Sequence, residues 1–575
     1  MQIARLASVA VVTMFSAGLL HAADDLDTFI QAQMPQRQIN GLSLAVIENG
    51  KIESRAYGVT SRGGVAVTTT TLFQAGSISK PVSAIGALKL VERGRLSLDE
   101  DVNRKLKSWK VPENEFTTVE KVTLRRLLSH TGGLTVSGFP GYDVTERRPS
   151  VTEVLDGKGN TLPVRVDVIP GTVWRYAGGG YTVMQQMVAD VTGMPFSEYM
   201  REAVLEPLGM ANSTFEQPLP PNRVGETASG YYQNRSAVSG KWHVYPEMAA
   251  AGLWTTPTDL ARFAIEVQQS LAGKSNKIIS QAMARQQLTS QMNDFGLGLF
   301  LGSSGNERNF NHGGRDEGFD ARLLALSGSS HGLIVMINAN DNSRMMNRIT
   351  AFVANKYDWP ARASTAPAAI QPVSRTIPFG PVTGFYGLGD NLLTLVAQGD
   401  SLFTEVNGLP DEQFLFMGDD RFGSKERNVS FQPARSSTGA IVGLTWIVNG
   451  KQQRAPRIGP LLDSITPLAD PDPSATRSVV ASIRGLLEGN SAVPNLKQLT
   501  SGARSDFAES RPMFAGFRRI TYVSSENVAD RQIERHGSIV SKVVFYQMET
   551  ERGRSWLLVH LTGDHLIAHC DVVND

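Results

Sequence analysis

The stretch SLAVIENGKIESRAYGV (residues 43–59) is rich in strand-forming residues on both sides of Asn49–Gly50, a dipeptide that favours a two-residue hairpin turn. Two antiparallel strands are therefore predicted here. In AGSISKPVSAIGALKLVERG (75–94) the period lengthens. Val82, Ile85, Leu88 and Val91 recur every third position, as one buried stripe of a helix would. Pro81 lacks an amide proton, so the helix must begin just before it, and Gly94 is a natural residue to follow its last turn. Helical patterns continue in VTLRRLLSHTGGL (122–134) and TTPTDLARFAIEV (255–267). In the latter, Thr256 is the expected N-cap, Pro257 occupies the first turn, and Asp259 is placed to interact with the free amides. DARLLALSGSSHGLIVMINAN (320–340) reads as two strands joined by a Gly/Ser turn. Strands at both ends with helices between them predict an antiparallel or mixed sheet covered by helices, an α/β (α+β) unit spanning 24–361.

The pattern then changes. ARASTAPAAIQPVSRTIP (361–378) is rich in Ala and Pro, and 362–377 reads as a linker. Short alternating runs such as LLTLVAQ, LFTEV and AIVGLTWIV, separated by turn residues, make 378–462 an all-β module. After LADPDPSATR, a helical VVASIRGLLEG and the strand-like SKVVFYQMET, RSWLLVHLTG and HLIAHCDVV make 463–575 a small α+β module. The first residues have a different character. Arg5, the apolar run 6–20 and the small residues before Asp24 read as a signal peptide over 1–23. The expectation is an exported, periplasmic protein without stable membrane insertion after the signal is removed.

Composition narrows the partners. The 575 residues are 41% hydrophobic and 19% charged, as in ordinary globular chains. With 56 basic and 55 acidic residues the net charge is +1, which disfavours a nucleic-acid partner. Cys570 is the single cysteine, so no internal disulfide can form.

The chemistry gathers at the start of the helix beginning near Pro81. Ser77 and Lys80 are three residues apart and so share a helix face. A serine hydroxyl becomes a nucleophile when a neighbouring base takes its proton, and an amine one turn away is such a base when its surroundings disfavour the charged form. The helix N-terminus adds amides and partial positive charge where an oxyanion would develop. The bare pattern also describes a capping serine beside a solvated lysine.

Four landmarks in order give the pair a context: LFQAGSISK (72–80), VTLRRLLSHTGGL (122–134), WRYAGGGYTVMQQMVADVTG (174–193) and FNHGGRDEGF (310–319). Together they resemble the serine β-lactamase and penicillin-binding-protein superfamily, in its class C-like branch of esterases and D-amino-acid peptidases, for which Ser-x-x-Lys is a signature. The resemblance implies a β-lactamase/transpeptidase-like fold with an all-helical lobe. It also implies an exported serine hydrolase that cleaves an ester or amide through an acyl-enzyme on Ser77, without cofactor or metal. Tyr176 matches the family tyrosine and would form one acid–base unit with Lys80. The amides of Ser77 and Arg315 would make the oxyanion hole, with His312, Gly313 and Gly314 on the strand edging the substrate. Two departures stand out: Gly178 replaces the family asparagine, and His312 the lysine of Lys-Thr-Gly, leaving Arg315 as the cation that could compensate. Both tilt the expectation towards an esterase or D-alanyl/D-amino-acid peptidase acting on a small molecule or peptide. A β-lactamase, or a catalytically weak penicillin-binding protein that senses cell-wall fragments, remains the alternative. The β module resembles small lipocalin-like domains.

Two local patterns compete for attention. Gly328-Ser329-Ser330-His331-Gly332 spells a nucleophile elbow, but the β-like run after it reads as the far side of a hairpin. His560, His565, His569 and Cys570 crowd the C-terminus, with His565 and His569 expected on one strand face. Their spacing matches no metal motif, and the expectation is no metal site.

Overall fold

The computed structural model describes residues 25–359 apart from 233–234, 305 and 342; residues 379–461 apart from 389–390, 400, 407–408, 425–428 and 449; and residues 468–574 apart from 488–497, 501–502, 504–506, 508–510, 536 and 552. The signal peptide over 1–23 and the linker over 362–377 lie outside the described residues.

The Asn49–Gly50 hairpin forms. Strands β1 (Gly41–Glu48) and β2 (Lys51–Gly58) pair from Glu48 opposite Lys51. Both turn residues have positive φ, 51° and 75°, the conformation a two-residue turn needs to match the strand twist. Four later strands complete a sheet: β3 (Phe300–Ser304), β4 (Glu307–Asp316), β5 (Phe319–Leu326) and β6 (Gly332–Ile337). The order is β2-β1-β6-β5-β4-β3, with every neighbour antiparallel. Residues 328–331 lie in the β5–β6 turn and Gly332 opens β6, as a hairpin requires and an elbow does not.

Both faces of the sheet are buried, which is why β1 is apolar at nearly every position. Leu42, Leu44 and Val46 point to one face, under α1 (Asp25–Gln36) and a late helix over Arg344–Lys356. Ala45 and Ile47 point to the other and join the main core. That core contains α2 (Ser79–Glu92), α3 (Gly178–Thr192) and α4 (Pro257–Leu271). The sequence predicted a single buried stripe on α2. Instead, every residue from Ser79 to Leu90 is buried, so the helix is covered by protein on all sides. Val82, Ile85 and Leu88 each contribute on the order of 1.5–3 kcal/mol by leaving water.

Two local readings change. The 122–134 pattern yields only a five-residue helix, Leu124–Leu128, capped by the Thr123 hydroxyl. At α4 the Thr256 hydroxyl accepts from the Asp259 amide as expected. The Asp259 carboxylate reaches across to the preceding loop with one oxygen, accepting from the Asn212 amide and the Ser213 hydroxyl, and pairs through the other with Arg262 on its own helix.

Eight strands, from Gly384–Leu388 to Lys451–Gly459, close into a barrel. Phe422, Phe431 and Trp446 face one another across adjacent strands, their rings stacked 4.8 and 5.6 Å apart, so aromatic side chains fill the interior. The last unit lays a helix, Pro473–Leu487, on one face of a four-stranded antiparallel sheet. Its other face packs Val543, Phe545 and Leu558 against Phe385 and Ile458 of the barrel. The edge strand Phe517–Asn527 was not read from the sequence, because its alternation is broken by two register shifts. Among the described residues, no helix is long and apolar enough to cross a membrane.

Candidate active site

Ser77 lies in a tight turn, Gly76–Ile78, that leads directly into α2. The turn is pressed onto β4, and glycines permit the approach. Gly76 has φ +52°, and a Cβ there would stand 2.4 Å from the Arg315 nitrogen. A Cβ on Gly314 would stand 1.9 Å from the Ala75 carbonyl oxygen. The pairing of β3 with β4 ends at Asn311, so β4 beyond it presents an edge to the Ser77 turn. The Ser79 hydroxyl ties the turn to the core: it donates to the Gly76 carbonyl at 2.6 Å and accepts from the Leu253 amide at 3.0 Å.

At the second position of α2, Lys80 is 2% exposed and its amine reaches back to the serine. Its Nζ is 3.0 Å from Ser77 Oγ and donates to the Ala250 carbonyl at 2.9 Å. The second bond fixes the amine's direction, since a lysine with one partner could swing away. Tyr176 comes from the loop before α3, and its ring centroid is 4.9 Å from Lys80 Nζ; that of Tyr181 is 5.8 Å away. The structure thus brings Ser77, Lys80 and Tyr176 together, and Lys80 carries the described hydrogen bond to the serine.

Gly178 stands where the family asparagine is expected. Its amide donates to the Ser137 carbonyl at 3.0 Å, and a Cβ on it would lie 2.9 Å from that oxygen and 3.0 Å from the Phe139 ring. The start of α3 is therefore docked on 135–139 too closely for a side chain, with the Phe139 ring beside it.

His312 lies on β4 with its ring 6.3 Å from that of Tyr176 and Nδ1 2.6 Å from the Gly313 carbonyl. Burial first, and the nearby Lys80 charge second, push its pKa down to about 3, so the ring is neutral at physiological pH. Arg315 does not compensate as a free cation. Its guanidinium grips the buried Asp320 carboxylate with two bonds of 2.7 and 2.8 Å. Gly313 sits exposed on the β4 edge between His312 and Gly314.

Sequence reasoning missed several groups. Glu247 is wholly buried, and burial pushes its carboxyl up to about 8; Asp316 is likewise raised well above the usual carboxylate range by burial. The Ala250 carbonyl belongs to the backbone and leaves no mark in MAAAGL. His130 lay inside a landmark, and its role depends on a positive φ that the letters do not reveal. At the C-terminus, His565 sits in a turn with φ +63° rather than on the strand face predicted for it. His560 and His569 both bond Asp571, at 2.9 and 3.0 Å, and no group able to hold a metal is found among the described residues.

Comparison with known proteins bears on the family and the fold. The β-lactamase family model matches residues 26–357. Penicillin-binding protein 4 of Amycolatopsis lactamdurans is 30% identical over 254 residues, 43% of this chain and 65% of that protein. Protein flp of Staphylococcus aureus strain MRSA252 is 25% identical over 330 residues, 55% of this chain and 62% of that protein. The chain thus spans a little under two thirds of these relatives' lengths. Among solved structures, the octameric penicillin-binding protein homologue from Pyrococcus abyssi aligns with 75% of this chain and 99% of its own, with a TM-score of 0.51 and 20% identity, a likeness of fold. The match spans the sheet, the core helices and every residue of the Ser77 site, and the chain belongs to the β-lactamase family, a family of serine hydrolases.

Proposed function

We propose that this protein is an exported serine hydrolase that cleaves an ester or neutral amide through an acyl-enzyme on Ser77. The observation carrying the reading is the 3.0 Å contact between Lys80 Nζ and Ser77 Oγ, made by a buried amine fixed from behind by Ala250. In the reaction the Ser77 hydroxyl attacks the carbonyl carbon and its proton passes to the Lys80–Tyr176 unit. The amides of Ser77 and Arg315 receive the oxyanion, consistent with the β4 edge resting on the Gly76 turn. The same unit returns the proton to the leaving alcohol or amine. Water then attacks the acyl-enzyme and passes a proton to Lys80–Tyr176, which hands it to Ser77 Oγ as the bond to the acyl group breaks and the acid leaves.

The substrate class follows from charge. A β-lactam or a D-alanyl peptide terminus carries a carboxylate that needs a cation. Here His312 is neutral, Arg315 is engaged by Asp320, and Phe139 takes the place beside Gly178. At the position of the family lysine an incoming carboxylate would lose water against a neutral imidazole. Small esters and neutral amides avoid that cost. Turnover of p-nitrophenyl acetate, a D-amino-acid amide and nitrocefin by the purified protein decides the point. Either of the first two should exceed nitrocefin; fastest turnover of nitrocefin would overturn the substrate reading and leave the acyl-enzyme mechanism standing.

A further inference from the structure

His130 ends the short helix Leu124–Leu128 with φ +60°, a backbone conformation that turns its side chain inward. From there it holds the chain on both sides of Tyr176. Its backbone carbonyl accepts from the Arg175 amide at 2.9 Å, and its Nδ1 accepts from the Ala177 amide at 3.0 Å. Its ring lies against the residue between them, 4.2 Å from the Tyr176 centroid. Phe295, at 4.8 Å, and Tyr181, at 5.3 Å, pack against the same imidazole.

We propose that His130 is the positioning residue for Tyr176, a neutral clamp that fixes the phenol against Lys80 by bonding both flanking amides and stacking on its ring. The inference rests on the acyl-enzyme reading, in which the phenol exchanges protons with Lys80.

The clamp works in one protonation state. Because Nδ1 accepts, the ring proton must sit on Nε2, and an imidazolium would have no lone pair for the Ala177 amide. The ionisable groups facing the ring are Lys80, His312, Tyr176 and Tyr181. Burial, then the Lys80 charge and His312, push His130 well below the ordinary histidine range, so the accepting form persists across physiological pH. His130 touches no reacting atom. It acts through Tyr176, and a misplacement of about 1 Å in such a group costs on the order of 10²-fold in rate.

Three variants separate this role from simple packing. In His130→Asn the side-chain amide oxygen can stand where Nδ1 stood, and asparagine tolerates the left-handed backbone. His130→Phe keeps an aromatic ring without an acceptor, and His130→Ala removes both. With p-nitrophenyl acetate, kcat should fall roughly 10- to 100-fold in His130→Phe and His130→Ala with KM within about twofold, and recover to within about fivefold in His130→Asn. Folded His130→Phe with wild-type kcat, or His130→Asn no better than His130→Phe, would overturn the clamp. Should the variants not fold, 15N NMR of the wild-type histidines decides: Nδ1 unprotonated and Nε2 protonated from pH 5 to 9 is expected, and a ring titrating near 6.5 or carrying its proton on Nδ1 refutes it. A wild-type protein that forms no acyl-enzyme would instead remove the functional reading, while the NMR result still judges the clamp.

Discussion

Glu247 offers the sharpest quantitative test of how the protein is held together behind Lys80. Its carboxyl is wholly buried, and among the described residues neither oxygen has a hydrogen-bond partner outside its own backbone. Tyr142, Tyr245 and Asp316 feel its charge, and none of them is a cation. Burial raises the carboxyl from 4.5 to about 8, so between those values the folded state holds a proton that the unfolded chain has released. Stability therefore falls as pH rises through this window and is fully retained below 4.5. At about 1.4 kcal/mol per unit, the two and a half units between 4.5 and pH 7 amount to roughly 3 kcal/mol. Glu247→Gln keeps the shape and cannot ionise, so it should be about 3 kcal/mol more stable relative to wild type at pH 7 than at pH 4.5. Groups common to both proteins cancel in that difference. Pulse proteolysis in urea, with cleavage mapped to residues 26–357, reads the stability of this unit apart from the barrel. A variant offset from wild type by the same amount at both pH values would refute the argument.

Two further outcomes follow from the site. Lys80→Met should fold with an intact core yet form the acyl-enzyme at least about 10²-fold more slowly in single-turnover kinetics; an undiminished rate would make Lys80 a bystander. His312→Lys restores a cation beside the substrate, and its rate of acylation by benzylpenicillin relative to p-nitrophenyl acetate should rise about tenfold, since a charged hydrogen bond is worth roughly 1.5–3 kcal/mol; an unchanged ratio would show that charge at this position does not select the substrate.

How far the letters carried the account depends on what each residue does. The hairpin at Asn49–Gly50 and the Thr256–Pro257 helix start were legible because turn and cap chemistry is local. The Ser77–Lys80 pair was legible because i, i+3 geometry is built into a helix. The burial of α2 on all sides was not, because periodicity reports one face and cannot show that a helical lobe covers the opposite one. The Arg315–Asp320 pair was missed for a different reason: it crosses the β4–β5 turn, and its register is set by pairing. Residues acting through backbone atoms, such as Ala250, and through unusual φ, such as His130, leave no distinctive letter. Arg315, named from the letters as a cation that could compensate, is paired with Asp320, a partner the sequence conceals.

The claim on which the rest depends is that Ser77 becomes covalently acylated. Intact-protein mass spectrometry after exposure to a fluorophosphonate or an activated ester, followed by peptide mapping, measures this directly. One adduct is expected, on Ser77, absent from folded Ser77→Ala and strongly slowed in Lys80→Met. Folded wild-type protein that stays unlabelled, or that is labelled equally well after Ser77→Ala, would contradict it.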